Sequence, residues 1–418
     1  SEYYTIYIRN IITNELVTEK IEETSGSIIF SLDDKYIFYS KLDENHRPRK
    51  IFRHKIGGEV KNDELVFEEK SEAFTVGINL SSDEKYYFIV SSDHNTSEQY
   101  YFDVNEITPI PKLIQKRKKG ILYSVNSWDG KFYNHTNEEA EDFKVDVSKT
   151  IQKPKWESYI PAKDEVLIGG CTFLKNWMIR SETSNALNKL FVRKIGSEIE
   201  DELVFSDEKV YEPSISLIQR DRNTDQIYLS YSSPKTPSRV FLYNLKNKEK
   251  KLIKEQKIPS GHNPNNYIVE RVECKSHDGR MVPLTITRHK DTKLNGSANL
   301  LLYGYGSYGS SMSPSFSSTR LSLINRNIIW VTAHIRGGME RGMKWWKEGK
   351  LLKKKNTFED YIASAKYLIE NKYTSENKII GMGGSAGGLL MGAVVNQAPE
   401  LFLGIIMAVP FVDSLTTN

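Results

Sequence analysis

A serine in a glycine-rich pentapeptide is the most reactive group that the sequence suggests. Gly383-Gly384-Ser385-Ala386-Gly387 matches the pattern G-x-S-x-G, in which a serine stands on a sharp turn between a strand and a helix. Such a turn exposes the hydroxyl above the sheet, and the amides that begin the helix favour negative charge beside it. The pattern predicts nucleophilic attack by Ser385, with a turn of no catalytic role as the alternative.

A serine hydroxyl also needs a base that takes its proton. In hydrolases with this pattern, an Asp or Glu and then a His follow the serine along the chain. No histidine follows Ser385, because the last one is His334, and the only later acids are Glu400 and Asp413. His334 is interpreted as structural. The triad Asp and His are therefore absent from these 418 residues, and loss of the histidine costs on the order of 10⁶ in turnover.

The elements that position Ser385 alternate between strands and helices from about Glu270 onward, which predicts an α/β fold. Asn356, with Glu359 three residues later, predicts a capping box. The predicted strands are Ala298 to Tyr303, Asn327 to Thr332, Lys378 to Met382 and Leu403 to Val409, and the predicted helices are Thr357 to Tyr373 and Ala386 to Asn396.

The chain before about Val269 is a succession of short β-type runs that repeat themselves. Ser31–Ser40 is echoed by Ser81–Val90 at an offset of 50 residues, and more weakly by Trp128–Tyr133. A second unit, Lys55–Phe67, returns at an offset of 139 residues, which is three periods of about 46. Four-stranded propeller blades recur at about this period, so the repeats predict a β-propeller, with a β-sandwich as the alternative.

Residues 1–265 are predicted to form the propeller and residues 266–418 the α/β-hydrolase domain. The first region holds between five and six repeat units, whereas a closed ring takes a whole number. We therefore expect the chain to begin inside the propeller.

Composition excludes several classes of function. The 58 basic and 54 acidic residues nearly balance, which does not suggest a nucleic-acid or membrane partner. The two cysteines have no metal or redox spacing, and no metal or nucleotide motif is present, so neither a cofactor nor a metal is expected. Without a visible signal peptide, the simplest location is the cytoplasm. The lysine runs at 116–119 and 353–355 are interpreted as solvated.

Five motifs follow one another in the second half of the chain. They are Tyr303-Gly304-Tyr305-Gly306-Ser307-Tyr308-Gly309, Arg336-Gly337-Gly338 with Glu340, the run 349–358, Gly383 to Gly388, and the run 396–402. Taken jointly, they resemble the oligopeptidase B branch of the prolyl oligopeptidase family. The resemblance covers essentially the whole chain and is strongest after Tyr303.

This resemblance implies a seven-bladed β-propeller followed by an α/β-hydrolase domain, both incomplete here, with the chain truncated at both ends. It implies a serine endopeptidase that cleaves short peptides after Arg or Lys, with a propeller that excludes folded proteins. By position, Ser385 matches the nucleophile, while the Tyr305 hydroxyl and the Ala386 backbone N–H match the oxyanion hole. The carboxylates that select Arg or Lys would lie beyond Asn418. Besides short peptides, the expected partners include a separate chain that carries the C-terminal part.

Two other functions stay open. One is an esterase or lipase on the same fold, although those often carry an HGGG-type loop where this chain has Tyr303-Gly304-Tyr305-Gly306. The other is an inactive propeller remnant that binds a partner, which the missing triad residues favour and the retained Ser385 disfavours.

Overall fold

The computed structural model describes residues 3–106, 108–218 and 222–413, except for the side chains of residues 18 and 19. The chain forms two compact units, residues 1–162 and residues 163–418.

The first unit consists of three antiparallel sheets whose strands follow chain order. The first sheet has five strands, and the second and third have four each. The strands are β1 (Tyr4–Arg9), β2 (Leu16–Phe30), β3 (Tyr36–Leu42), β4 (Pro48–Lys55), β5 (Glu64–Glu68), β6 (Thr75–Leu80), β7 (Tyr86–Ser92), β8 (Ser97–Asp103), β9 (Lys112–Gln115), β10 (Tyr123–Trp128), β11 (Lys131–Thr136), β12 (Lys144–Ser148) and β13 (Glu157–Ile160).

The repeated sequence Ser31–Ser40 and Ser81–Val90 forms the same turn twice. In each copy the serine hydroxyl donates to an aspartate two residues later, over 2.7 Å from Ser31 to Asp33 and 2.8 Å from Ser81 to Asp83. The serine oxygen then accepts the amide of the first residue of the next strand. This local bonding explains why the polar turn precedes each aromatic strand.

Buried aromatic and aliphatic side chains connect neighbouring sheets of the first unit. One cluster joins β3 and β4 to the second sheet and includes Phe38, Ile51, Tyr87 and Phe102. Both neighbours of Phe38 on β3 and the residue after Tyr87 on β7 are buried as well, as expected for strands in sheets that are covered on both faces.

The second unit begins with two more four-stranded antiparallel sheets. The second repeat unit connects β16 (Leu187–Lys194) to β17 (Glu200–Glu202) here, as it connects β4 to β5 in the first unit. Gly57 and Gly196 both have positive φ, at 78° and 84°, within the same kind of turn. The offset of 139 residues thus separates the first sheet from the fourth. The strands are β14 (Val166–Leu174), β15 (Trp177–Ser184), β16 (Leu187–Lys194), β17 (Glu200–Glu202), β18 (Glu212–Ser216), β19 (Gln226–Ser232), β20 (Arg239–Asn244) and β21 (Lys250–Glu255).

A six-stranded mixed sheet follows, in the order β22 (Tyr267–Lys275), β23 (Met281–His289), β25 (Ile329–Ala333), β24 (Leu300–Tyr303), β26 (Ile379–Gly384) and β27 (Phe402–Ala408). The last four strands in that order are parallel, and helices pack against them around a core that includes Leu302, Val331, Tyr361 and Leu390. The helices are α1 (Ser318–Ile324), α2 (Gly342–Lys347), α3 (Lys355–Glu370) and α4 (Ala386–Gln397), with short 3-10 turns at Val60–Asn62, Pro264–Asn266, Leu351–Lys353 and Pro399–Leu401.

The predicted capping box at Asn356 is wrong. Helix α3 begins at Lys355 directly after the 3-10 turn Leu351–Lys353, and its N-cap residue, Lys354, makes no side-chain capping bond. The Asn356 amide instead donates to the carbonyl of Glu348 over 2.9 Å. The helix thus starts two residues before the predicted position, because the preceding turn already has helical geometry.

Within the part of the chain that the structure describes, no helix has both the length and the apolar character needed to cross a bilayer.

Candidate active site

Ser385 lies between β26 and α4 in a backbone conformation that few residues other than glycine adopt. Its φ is 54° and its ψ is −119°, and its side chain is exposed. Backbone hydrogen bonds hold this conformation, because Ser385 N–H donates to Ala408 O over 2.9 Å. Its own carbonyl accepts from Gly388 N–H and Phe411 N–H over 2.8 and 2.9 Å. A positive φ outside glycine is strained, and such strain concentrates at functional sites.

The neighbouring glycines are required by close backbone approach. A Cβ atom on Gly383 would lie 2.3 Å from the carbonyl oxygen of Gly387, and one on Gly388 would lie 2.4 Å from Pro410 Cβ. Both distances are far below van der Waals contact, so the turn closes only when these positions lack side chains.

Ala386 is the first residue of α4 and is buried, with 5% of its surface exposed. The N–H groups of the first turn have no partner within a helix, and the helix dipole adds partial positive charge at this end. The Ala386 N–H therefore stands beside the exposed serine, where an anion would be stabilised.

Tyr305 lies on the loop after β24, against the beginning of α4. Gly304 N–H donates to Met382 O over 3.1 Å, which joins the loop to β26. A Cβ atom on Gly387 would lie 3.0 Å from Gly304 O and 3.4 Å from Tyr305 Cδ2. The structure thus brings the tyrosine ring next to the first turn of the helix that carries Ser385 and Ala386, although 80 residues separate Tyr305 from Ser385.

Lys354 contacts the same loop through two hydrogen bonds. Its Nζ donates to Gly306 O over 2.5 Å and to Ser307 Oγ over 2.8 Å. Burial lowers the pKa of its ammonium group to about 8. Within the run 353–355, which the sequence predicts to be solvated, Lys353 and Lys355 are exposed, whereas Lys354 is half-buried and bonded to the loop. A charge run in a sequence does not show which of its members the fold turns inward.

His334 lies at the end of β25 and is completely buried. Its Nε2 lies 2.8 Å from Thr285 Oγ1 and 2.9 Å from Arg271 Nη1. Burial, together with the nearby Arg271, lowers its pKa well below the usual value. An enclosed neutral imidazole beside an arginine agrees with the structural interpretation of this histidine.

Glu340 is a buried carboxyl group that the sequence did not single out as a titrating residue. Only 1% of it is exposed, and burial raises its pKa to about 7. Its Oε1 accepts the amide of Met312 over 3.0 Å and lies 3.8 Å from His334 Nδ1. No periodicity or motif signals this burial, because the residues around Glu340 come from distant parts of the chain.

Arg336 holds the Arg336-Gly337-Gly338 segment in place. Its guanidinium is 1% exposed and binds the carboxylates of Asp360 and Asp278, and its backbone N–H donates to Asp360 over 3.0 Å. Gly309 N–H, at the far end of the Tyr305 loop, donates to Gly337 O over 2.9 Å. The ion pairs therefore support the loop at a second point.

No metal site accompanies this arrangement: in the described ranges, no three His, Cys, Asp or Glu side chains converge as ligands.

A strained serine between a parallel strand and a helix defines the nucleophile-elbow arrangement of α/β hydrolases. The chain belongs to the prolyl oligopeptidase family. The family model described as "Prolyl oligopeptidase, N-terminal beta-propeller domain" matches residues 1–256, and the one described as "Prolyl oligopeptidase family" matches residues 314–418. The predicted family and the fold class, a propeller followed by a partial α/β-hydrolase domain, are confirmed.

Among known proteins, the chain is similar to Protease 2 of Moraxella lacunata, with 36% identity over all of this chain and 60% of the relative. It is also 33% identical to dipeptidyl aminopeptidase BI of Pseudoxanthomonas mexicana, over 99% of this chain and 57% of that protein. Oligopeptidase B of Leishmania major superposes with a TM-score of 0.92 at 29% identity, covering 99% of this chain and 59% of that one. The chain thus spans about 60% of the length of the relatives it matches.

Proposed function

We propose that this chain forms part of a serine endopeptidase of the oligopeptidase B type, which hydrolyses short peptides after Arg or Lys through an acyl-enzyme on Ser385. The observation that carries the proposal is the exposed, strained serine at φ 54° beside the first turn of α4. The relatives' names support the reaction class, because Protease 2, dipeptidyl aminopeptidase and prolyl endopeptidase all denote peptide-bond cleavage. They differ in specificity, so cleavage after Arg or Lys rests on the oligopeptidase B likeness.

In the proposed reaction, Ser385 Oγ attacks the peptide carbonyl while a base takes its proton. The carbonyl oxygen becomes an oxyanion, which accepts hydrogen bonds from the Tyr305 hydroxyl and the Ala386 N–H. Each such donor stabilises the transition state by about 3 kcal/mol. The proton then passes to the leaving amine, the C–N bond breaks, and water hydrolyses the ester on Ser385. A related structure, oligopeptidase B of Trypanosoma brucei, holds covalently bound antipain, and covalent binding fits a family with a reactive side chain.

We further propose that the triad Asp and His lie outside these residues, so that the 418-residue chain alone is inactive. No histidine follows Ser385, and the buried His334 lacks the exposure that proton transfer at Ser385 requires. The missing groups would come from a further segment or from a separate chain.

We assign residues 1–265 to the propeller that admits only short peptides and residues 266–418 to the peptidase domain. We place the protein in the cytoplasm, since both cysteines are free.

Labelling with a fluorophosphonate probe tests the nucleophile. The 418-residue chain is compared with the same chain joined to the residues that follow the matched region of Moraxella lacunata Protease 2. We expect labelling of Ser385, located by peptide mass spectrometry, only in the joined protein. Ser310→Ala, at an exposed serine on the Tyr305 loop, is the matched control and should label normally. A joined, folded protein that never labels at Ser385 would reject the proposal.

Substrate choice separates the proposal from the esterase alternative. The joined protein should cleave an Arg-containing chromogenic peptide faster than a short acyl ester, and Ser385→Ala should abolish both activities. Faster ester turnover would favour an esterase. Absence of both activities, in a protein that folds and captures a binding partner, would favour the inactive propeller.

A further inference from the structure

Lys354 is a half-buried cation that the proposed chemistry does not use. We propose that Lys354 is a positioning residue that holds the Tyr305 loop where the tyrosine hydroxyl meets the oxyanion. This inference rests on the proposed function for its catalytic part, while the positioning itself stands on the loop's own contacts.

The contacts of Lys354 fall on the two residues that follow the tyrosine. Its Nζ donates to Gly306 O over 2.5 Å and to Ser307 Oγ over 2.8 Å. Because Gly306 and Ser307 directly continue the chain from Tyr305, a shift of these acceptors moves the tyrosine backbone as well. The amine therefore acts on the main chain one peptide unit away from the phenol.

The loop has fixed points before and after this segment but few within it. Gly304 N–H bonds Met382 O on one side, and Gly309 N–H bonds Gly337 O on the other. Between them, in the described ranges, the carbonyl of buried Gly306 accepts a hydrogen bond only from Lys354. Removing the amine would leave that carbonyl buried without a partner, and a buried unpaired carbonyl drives the backbone to relax.

An ion pair does not explain the partial burial of this lysine. Among the described residues, no carboxylate contributes to the shift in the pKa of Lys354, while its neighbours Lys353 and Lys355 are exposed. Burial alone lowers its pKa to about 8. Since an unpaired ammonium is costly to bury, the bonds to the loop are what keep it in place.

The tyrosine position matters because oxyanion stabilisation depends on donor distance. Donors must lie about 3 Å from the oxyanion, and a misplacement of about 1 Å costs on the order of 10² in rate. A residue that holds the loop should therefore affect turnover more than substrate binding.

A fluorine probe tests the positioning without any activity. The 418-residue chain carries 4-fluorophenylalanine at position 305, and its 19F spectrum is compared for Lys354→Met and Lys353→Met. We expect Lys354→Met to shift or broaden the resonance, while Lys353→Met, on the adjacent exposed side chain, leaves it unchanged. Ser307→Ala removes one acceptor with little risk to folding and should give a smaller change of the same kind. Identical spectra for Lys354→Met, Ser307→Ala and the parent would overturn the proposal.

Kinetics in the joined protein test the catalytic part. We expect Lys354→Met to lower kcat by 10- to 100-fold with KM within twofold. The double variant with Tyr305→Phe should be no slower than Tyr305→Phe alone, since both changes act through one hydroxyl. If the kcat losses of the two single variants multiply in the double variant, the mechanism through Tyr305 is overturned. A fully active Tyr305→Phe enzyme would instead refute the proposed oxyanion role, and with it the catalytic half of this inference, even if the fluorine spectra respond to Lys354→Met.

Discussion

Replacing Gly383 by alanine is the sharpest test of the turn that carries Ser385. The added Cβ would lie 2.3 Å from the carbonyl oxygen of Gly387, whereas ordinary contact begins at 3.4 Å, so the two backbone segments must separate by about 1 Å. The obstacle is backbone rather than the flexible end of a side chain, and it cannot rotate away. The change therefore displaces α4 relative to β26 at the position of Ser385.

The stability cost follows from this overlap. Forcing a methyl group into a closely packed site costs about 1–3 kcal/mol. For a unit of this size, each kcal/mol lowers the melting temperature by roughly 2–4 °C. Thermal unfolding followed by circular dichroism should therefore show Gly383→Ala melting several degrees below the parent chain, and labelling of Ser385 in the joined protein should fall on the order of 10²-fold.

Gly404→Ala on the adjacent strand β27 is the matched control. Gly404 also lies in the parallel sheet, but a Cβ there meets no atom within 4 Å. Alanine should leave stability unchanged or raise it by up to about 1 kcal/mol, because glycine weakens a strand. Equal melting temperatures for Gly383→Ala and Gly404→Ala would refute the argument that close backbone approach selects glycine at the serine turn.

Three further changes test the support around the site. Tyr361→Phe removes the bond from the buried hydroxyl to Leu302 O (2.6 Å) and should cost about 1–3 kcal/mol in urea unfolding, whereas Tyr308→Phe, at a 69% exposed ring, should cost almost nothing. Arg336→Lys keeps the positive charge but loses the paired contacts to Asp360, and should lower the free energy of unfolding by about 3 kcal/mol or more. Arg326→Lys, at an exposed arginine, is the control and should leave it unchanged. Burial raises the pKa of Glu340 from 4.5 to about 7, so the folded state holds the proton more tightly. The contribution of Glu340 to the free energy of unfolding should fall by up to about 3 kcal/mol as pH rises from 4.5 to 7. Glu340→Gln should remove that part of the pH dependence.

Each of these expectations has a contradicting result. A Tyr361→Phe protein as stable as Tyr308→Phe would show that the Leu302 carbonyl finds another partner. Arg336→Lys unfolding at the urea concentration of Arg326→Lys would mean that Lys replaces the bidentate contacts. Parallel curves of stability against pH for the parent and Glu340→Gln would place the titration on a different group.

Local signals predicted the repeats and the serine turn well, because each is encoded within a few residues. The Ser31 and Ser81 turns are held by hydrogen bonds between residues of the same turn, so the repeated sequence forms the same structure in both places. The strand and helix around Ser385 likewise fell within two residues of their predicted limits. Helix α3 was less predictable at its start, since the turn Leu351–Lys353 rather than a capping side chain determines where it begins.

The sequence by itself determined that a serine would stand on a strained strand-to-helix turn, and that β-sheets recurring at about 46 residues would precede it. Only the tertiary structure placed Tyr305 against α4, joined Lys354 to the Tyr305 loop by hydrogen bonds and buried Glu340. These outcomes depend on contacts between residues tens of positions apart. Whether a lysine or a glutamate is desolvated depends on which distant segments close over it, and no local pattern of residue types carries that information.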